Sequence, residues 1–307
     1  MKKKVIILVR NSNKHPSSTM VPFIKRTWVR NTKHKVFFVQ SGAEENRIEG
    51  MDMFLTSPTG YMSMTEKMHD CLEYLNENNF EYDYVVMTTT GSYINFKEFD
   101  KFIEYLPSNN VYCGPLDFYP PVRPTEEEVI PFVSGRAIIF SKDICDLIIA
   151  NKDSIEQSLL VDDVAWGNFL IKENNIPPTR GYRQDFKNYP RLKDINFNNY
   201  HYGFRLDTWG IPRIFEIFSI YSIHKKMNYK YNQKESLAKS TLVKIFDFFF
   251  YNLFTLISFL NLKYRKSQIK DFFNSILHWL YRILKSNKIL FKFFKKIKNK
   301  FNIRTHI

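Results

Sequence analysis

The run Tyr-Val-Val-Met over residues 84–87 constrains the fold more than any other stretch of the chain. It is short, apolar and rich in β-branched residues, the pattern of a strand buried on both faces. It breaks at once into Thr88-Thr89-Thr90-Gly91-Ser92 and reaches Asn95, near which a helix is predicted to begin. Such a strand belongs in an open α/β sheet, where ligands bind in the crevice outside the C-terminal strand ends. The same residues also suit a plain strand-to-helix turn, with the hydroxyls satisfying backbone groups or capping the helix.

The rest of the N-terminal part alternates strand and helix. Val5–Val9 follows Met-Lys-Lys-Lys but is too short for the apolar region of an export signal and runs into Arg10. It therefore reads as a first strand. A helix over 19–30, strands at Val36–Val39 and Met51–Leu55, and a helix carrying Met64, Met68, Leu72 and Leu75 at three- and four-residue spacing come next. Beyond the organising strand the pattern predicts a helix over 96–105 and a strand at 110–113. A Pro-rich acidic stretch over 116–131 has the length of a functional or mobile loop. One strand over Pro131–Phe140 carries Ser134-Gly135, a helix starts at Ser141, and another runs from Asp162 to about Lys172. The expected fold class is α/β: a mostly parallel, Rossmann-like sheet flanked by helices.

Charge divides the chain. Residues 191–307 hold 23 Lys and Arg against 6 Asp and Glu, a balance of +17 that leaves −3 for residues 1–190. Phe248–Leu262 is apolar apart from Asn252, Thr255, Ser258 and Asn261. As a helix it reaches roughly 22 Å at ~1.5 Å per residue, short of the ~30 Å hydrocarbon core. Phe272, Phe273, Ile276, Leu280, Ile283 and Leu284 form an apolar stripe at helical spacing, and Ile289, Leu290, Phe293, Phe294 and Ile297 form another, with lysines between. That composition suits helices lying on an anionic membrane surface; a lid packed on the sheet domain or a partner protein is the alternative. Nucleic acid is the partner it suits least, because the large residues are Phe, Ile and Leu on one face. Cys71, Cys113 and Cys145 are odd in number and lack metal-ligand spacing, which fits a reducing, cytoplasmic setting.

Five segments, in order over about residues 5–185, resemble the fringe and β-1,3-galactosyltransferase family of GT-A glycosyltransferases. Lys25-Arg26-Thr27-Trp28 is similar to that family's Arg-x-Thr-Trp. Thr65-Glu66-Lys67-Met68 with Leu72 and Tyr74 resembles its Leu-Thr-x-Lys-Thr helix. Asp83–Asn95 resembles its Asp-Phe-x-x-Lys-x-Asp-Asp-Asp-x-Phe-Val-Asn strand. Ser134-Gly135 with Ile138–Ser141 is similar to Cys-Ser-Gly-Gly-Gly-Tyr-x-x-Ser, and Asp162-Asp163-Val164 with Gly167 to Glu-Asp-Val-x-x-Gly. The resemblance implies transfer of a sugar from a nucleotide-sugar, expected to be a UDP-sugar, to a glycan or lipid-linked acceptor, with inversion at the anomeric carbon. With the resemblance, the expected organisation is a catalytic domain over 1–190 and a segment over 191–240 closing the donor site; the charge and apolar stripes of 241–307 make it a basic helical extension expected at the inner membrane face.

One departure stands out. The family's three aspartates, whose carboxylates hold a divalent metal on the donor diphosphate, align here with Thr89-Thr90-Gly91. Uncharged hydroxyls are poor ligands for Mg²⁺ or Mn²⁺, which favour carboxylate oxygens. No metal ligand is therefore assigned and metal dependence is doubtful. Either protein cations and backbone N–H groups neutralise the diphosphate, or the chain is an inactive glycan-binding or scaffold protein. The expected donor contacts are Thr89, Thr90, Gly91, Ser92, Arg10, Arg136, His201 and Arg205, since an arginine fork binds phosphate oxygens in two places. Arg136 equally suits a salt bridge to Glu126–Glu128, and His201 an exposed loop.

Adjacent carboxylates opening a helix are held ionised by its dipole. The resemblance places the general base at Asp163, with Asp162 positioning or binding acceptor; both also suit an ordinary helix cap. Ser134, Gly135 and Trp166 are the expected acceptor contacts, glycine allowing close approach of the backbone. Trp28 and Trp166 equally suit core positions, and Asp117 and Asp185 are loop carboxylates that could serve acceptor or metal.

Overall fold

The structure, a computed structural model, describes residues 3–14, 17–60, 63–119, 129–158, 160–195, 202–206, 216–231 and 247–255. The chain divides into two compact units, Met1–Tyr251 and Asn252–Ile307. The expected boundaries at 190 and 240 both lie inside the first unit. The apolar stripes from Phe272 to Ile297 lie outside the described residues. Among the described residues no helix is long and apolar enough to cross a membrane.

In chain order the first unit contains β1 (Val5–Arg10), α1 (Ser17–Arg26), β2 (Lys35–Ser41), β3 (Arg47–Glu49), β4 (Asp52–Leu55), α2 (Met64–Glu77) and β5 (Tyr84–Thr89). Then come β6 (Ser92–Ile94), α3 (Phe96–Tyr105), β7 (Tyr112–Gly114), β8 (Leu116–Tyr119), β9 (Ile130–Val133) and β10 (Ile138–Ser141). The last group is α4 (Lys142–Ala150), α5 (Lys152–Gln157), α6 (Asp162–Gly167), β11 (Thr179–Arg180), β12 (Arg183–Phe186), β13 (Gly203–Leu206) and α7 (Glu216–Tyr231).

The main sheet has eight strands in the order β11-β7-β10-β5-β1-β2-β4-β3. β1 lies between β2 and β5, parallel to both, and Val5–Val9 is buried along its length. A parallel strand covered on both faces needs such a continuous apolar run. β10 runs antiparallel to β5 and β7, and β3 antiparallel to β4. The sheet is thus mostly parallel, flanked by helices, as the strand–helix alternation predicts.

The two faces are distinguished by residue parity. Ile6, Leu8, Val85 and Met87 pack with Met68, Cys71, Leu72 and Leu75 of α2, Ile144 and Ile148 of α4, and Trp166 of α6. On the opposite face Lys25 of α1 lies 5.0 Å from the Phe38 ring, and Tyr84 donates its hydroxyl to the Pro107 carbonyl beyond α3 at 2.6 Å. There Trp28, Phe96, Phe99 and Tyr202 form a chain of aromatic contacts. α7 packs on α1 and on a second sheet, β12-β13-β6. Its nearly buried Lys226 pairs with Asp247 at 2.6 Å.

Two segments depart from expectation. The single strand over Pro131–Phe140 is two strands: β9 pairs with β8 in a separate two-stranded sheet, and β10 enters the main sheet. Ser134–Ala137 is the turn between them. The irregular stretch over 116–131 includes β8 and the first residues of β9.

α6 is set against β9 by Gly167. A Cβ built there would lie 2.4 Å from Phe132 Cβ and 2.5 Å from the Pro131 carbonyl oxygen, both too close to tolerate. Gly167→Ala is accordingly expected to lower stability by about 1–3 kcal/mol, the usual cost of overpacking. Chemical denaturation checks this; a variant as stable as the parent would show that α6 is not held at this contact.

Candidate functional site

The organising strand ends at the C-terminal edge of the parallel strands, next to the end of β1. The turn Ser134-Gly135-Arg136 occupies this edge and is bonded on both sides. On one side the Arg136 carbonyl accepts the Thr88 hydroxyl at 3.1 Å and the Ser92 hydroxyl at 3.4 Å. On the other, Gly135 N donates to Asp163 Oδ2 at 2.8 Å, and the Gly135 carbonyl accepts from Arg10 Nη2. Arg10 Nη1 also pairs with Asp162 Oδ2. The hydroxyl-rich end of β5 and the paired aspartates of α6 therefore meet across a single turn.

Gly135 lies close under the ends of the Arg10 and Asp163 side chains, which a larger residue would push aside. A Cβ there would sit 2.8 Å from Arg10 Nη2 and 3.0 Å from Asp163 Oδ2. Arg10 and Asp162 expose only 10% and 7% of their side chains. Removing one member of such a pair strands a buried charge, typically costing about 3–5 kcal/mol. Arg10, expected to contact donor, bridges β1, the turn and α6. Asp162 is its buried ion-pair partner.

Asp163 keeps part of its surface in solvent. Each of its oxygens accepts one backbone N–H, Oδ2 from Gly135 and Oδ1 from Val164 at 3.1 Å. A carboxylate offers about four acceptor positions, so capacity remains for a substrate hydroxyl.

On the hydroxyl side, Thr89 is half-buried while Thr90, Gly91 and Ser92 are buried. Thr89 and Ser92 hydroxyls lie 3.4 Å apart, and the Gly91 carbonyl accepts Leu206 N at 2.9 Å. Arg136 donates Nη1 to the Leu206 carbonyl at 3.0 Å, joining the turn to β13. Arg205 of β13 faces Asp185 of β12 at 3.5 Å. His201 and Glu126–Glu128 lie outside the described residues. Ser134 is buried, and its hydroxyl accepts from Arg183 Nη1 at 3.2 Å.

Trp166 is not an acceptor platform. It is fully buried, edge-on to Phe140, and donates its indole N–H to His69 Nε2 at 3.1 Å. A ring enclosed this way has no face for a sugar. Trp28 is likewise in the core.

Sequence reasoning missed Arg183, and it noticed Lys67 only as part of a motif. Lys67 is buried and donates Nζ to the Asn11 carbonyl, next to Arg10, at 2.8 Å. Burial above all, with a smaller contribution from the Arg10 charge, lowers its pKa to about 8. A lysine among apolar helix positions was the available signal.

The place where the family's metal would sit does not fit a hard dication. Thr89, Thr90 and Gly91 bring no carboxylate, and Asp162 is engaged by Arg10. Among the described residues no three His, Cys, Asp or Glu side chains converge as metal ligands.

Neither a protein-family model nor a curated protein sequence matches the chain. Among solved structures it is similar to a glycosyltransferase involved in the glycosylation of the major capsid of PBCV-1. The two share 10% identity, with 71% of this chain and 99% of that chain covered and a TM-score of 0.41. A likeness this distant assigns no activity.

The His69–Trp166 bond makes α6 sensitive to acid. His69 Nε2 accepts the indole N–H, so Nδ1 carries the proton and donates to Glu156 at 2.7 Å. Burial lowers the ring's pKa from 6.5 to about 4. Below pH 6.5 the unfolded chain takes up a proton that the folded chain refuses, so stability is full above 6.5 and declines as pH falls towards 4. The loss should approach about 3 kcal/mol, at 1.36 kcal/mol per pKa unit. Denaturation across this range tests it: His69→Gln should flatten that part of the profile, and an unchanged slope would contradict it.

Proposed function

We propose that this chain is a GT-A glycosyltransferase. It transfers a sugar from a nucleotide-sugar, expected to be a UDP-sugar, to a glycan or lipid-linked acceptor with inversion at the anomeric carbon. The observation that supports this most is the Ser134–Arg136 turn, bonded to the end of β5 on one side and to Asp163 and Arg10 on the other. It puts a part-exposed carboxylate beside an arginine-bearing rim at the sheet edge where α/β folds bind ligands.

In the proposed reaction the acceptor hydroxyl hydrogen-bonds to Asp163. Its proton passes to the carboxylate as its oxygen forms a bond to the anomeric carbon. The bond from that carbon to the donor phosphate oxygen breaks, and the nucleoside diphosphate leaves with the electron pair. Arg136 and Arg205 offset the charge that develops on it. The bonds from Gly135 N and Val164 N orient Asp163, and Arg10 holds Asp162, the turn and α6 in register. No step is assigned to a divalent metal, because the residues do not fit one. The membrane-surface setting rests on the composition of 241–307 alone.

Transfer and donor hydrolysis across a set of UDP-sugars test this reading. The wild-type chain should turn over in EDTA. Asp163→Asn should lower kcat by about 10²- to 10⁴-fold, the usual contribution of a general base, with donor KM little changed. An unchanged rate would remove the base assignment. Turnover that dies in EDTA and returns with Mn²⁺ would remove the metal-free chemistry, and no turnover with any donor would favour the glycan-binding reading.

A further inference from the structure

The second sheet carries a charge cluster that the sequence did not reveal. In its register Ser92 of β6 stands opposite Arg205 of β13, and Arg205 opposite Asp185 of β12. Directly paired residues point to the same face of a sheet. Arg183 lies two residues before Asp185 on β12, so it shares that face. Its own partner in the register is Gly203, which brings no side chain, and the Arg183 stem passes over that position. The guanidinium then reaches Ser134 in the turn that holds Asp163.

Asp185 meets Arg183 in a fork-to-fork pair, Nε to Oδ1 at 2.6 Å and Nη2 to Oδ2 at 2.9 Å. The same carboxylate also lies 3.5 Å from Arg205 Nη1. Two arginines thus share one aspartate, and Arg136 reaches the same strand through the Leu206 carbonyl. The Asp185 side chain is 35% exposed and covers an Arg183 side chain that is 6% exposed. A planar guanidinium edge bound by two carboxylate oxygens has the geometry that binds two phosphate oxygens.

We propose that Asp185 is a displaceable stand-in for the donor's diphosphate. When a nucleoside diphosphate group enters, its oxygens replace the Asp185 carboxylate on Arg183 and Arg205. The arginine cluster thereby takes the place of the divalent cation. This rests on the glycosyl-transfer reading for its ligand, a nucleoside diphosphate, but its chemistry is anion binding and is tested separately. In this proposal the exposed Asp185 side chain swings away from the Arg183 guanidinium that it covers. Donor affinity is set by competition between a tethered carboxylate and the diphosphate.

Calorimetric titration of the full chain with inorganic pyrophosphate in EDTA tests this, using wild type, Asp185→Asn and Arg183→Lys. Removing the competing charge should tighten binding in Asp185→Asn by about tenfold, the worth of one charge-assisted hydrogen bond. Arg183→Lys keeps the charge but loses the fork, and should weaken binding several-fold. Thermal melting confirms that each variant is folded. Asp185→Asn that binds no tighter than wild type, binding that needs added Mn²⁺, or no pyrophosphate binding at all would each overturn the proposal. Sugar transfer by the wild type is measured in parallel. Absent transfer with the tightened Asp185→Asn response removes the transferase reading and keeps the cradle. Transfer with no such response does the reverse.

Discussion

The Arg10 guanidinium joins three parts of the chain that are far apart in sequence. Arg10 ends the central strand, Asp162 begins α6, and Gly135 lies in the turn between β9 and β10. Each part contributes a group buried enough to be costly if left alone: a charge, its counter-charge and a backbone carbonyl. Their mutual satisfaction fixes where α6 presents Asp163, and Gly135 N then orients that carboxylate from the same turn. Gly167 and the His69–Trp166 bond hold the same helix from its far side. α6 runs directly into a π-helical segment, Asn168–Glu173, and such a short irregular helix depends on tertiary contacts. These contacts, rather than its propensity, define its position.

Arginines gather around the turn that bonds Asp163. Where a dication would need carboxylates, this chain has Thr89, Thr90 and Gly91, and the cations are Arg136, Arg183 and Arg205, all within or reaching the second sheet. Strand pairing explains how they gather. β6 follows β5 directly, and β13 returns antiparallel to it with β12 alongside. The lip of the main sheet therefore becomes the edge of a smaller sheet whose face is lined by charged residues. Arginine suits this arrangement because it stays charged when partly buried and carries directional donors. In the proposed reaction these fixed charges do the work that metal coordination would otherwise perform.

Much of this was legible in the sequence, for identifiable reasons. Val5–Val9 and Tyr84–Met87 are apolar without interruption, so their place as central parallel strands could be read directly. The spacing of Met64, Met68, Leu72 and Leu75 marked α2 for the same physical reason. The break within 131–140 was hidden because Phe132, Val133, Ile138 and Ile139 look like one apolar run, although they belong to different sheets. Trp166 was ambiguous because a tryptophan beside a carboxylate suits either a sugar or a core; its partner His69 lies 97 residues away. Asp185 was singled out as a loop carboxylate, but its place on β12 and its sharing by Arg183 and Arg205 could not be read, because β13 pairs with β12 only in space. Local apolar pattern was readable, whereas contacts made by distant polar side chains were not.

The central claim is that donor charge is met by arginines at the rim facing Asp163. A crystal structure of the chain soaked with a UDP-sugar and Mn²⁺, with anomalous data collected to locate manganese, tests it most directly. The account predicts diphosphate oxygens on the Arg136, Arg183 and Arg205 side chains, the anomeric carbon towards Asp163, and no manganese peak between phosphate and protein. A manganese ion coordinated by the diphosphate and protein side chains, or a donor bound away from this edge of the sheet, would contradict it.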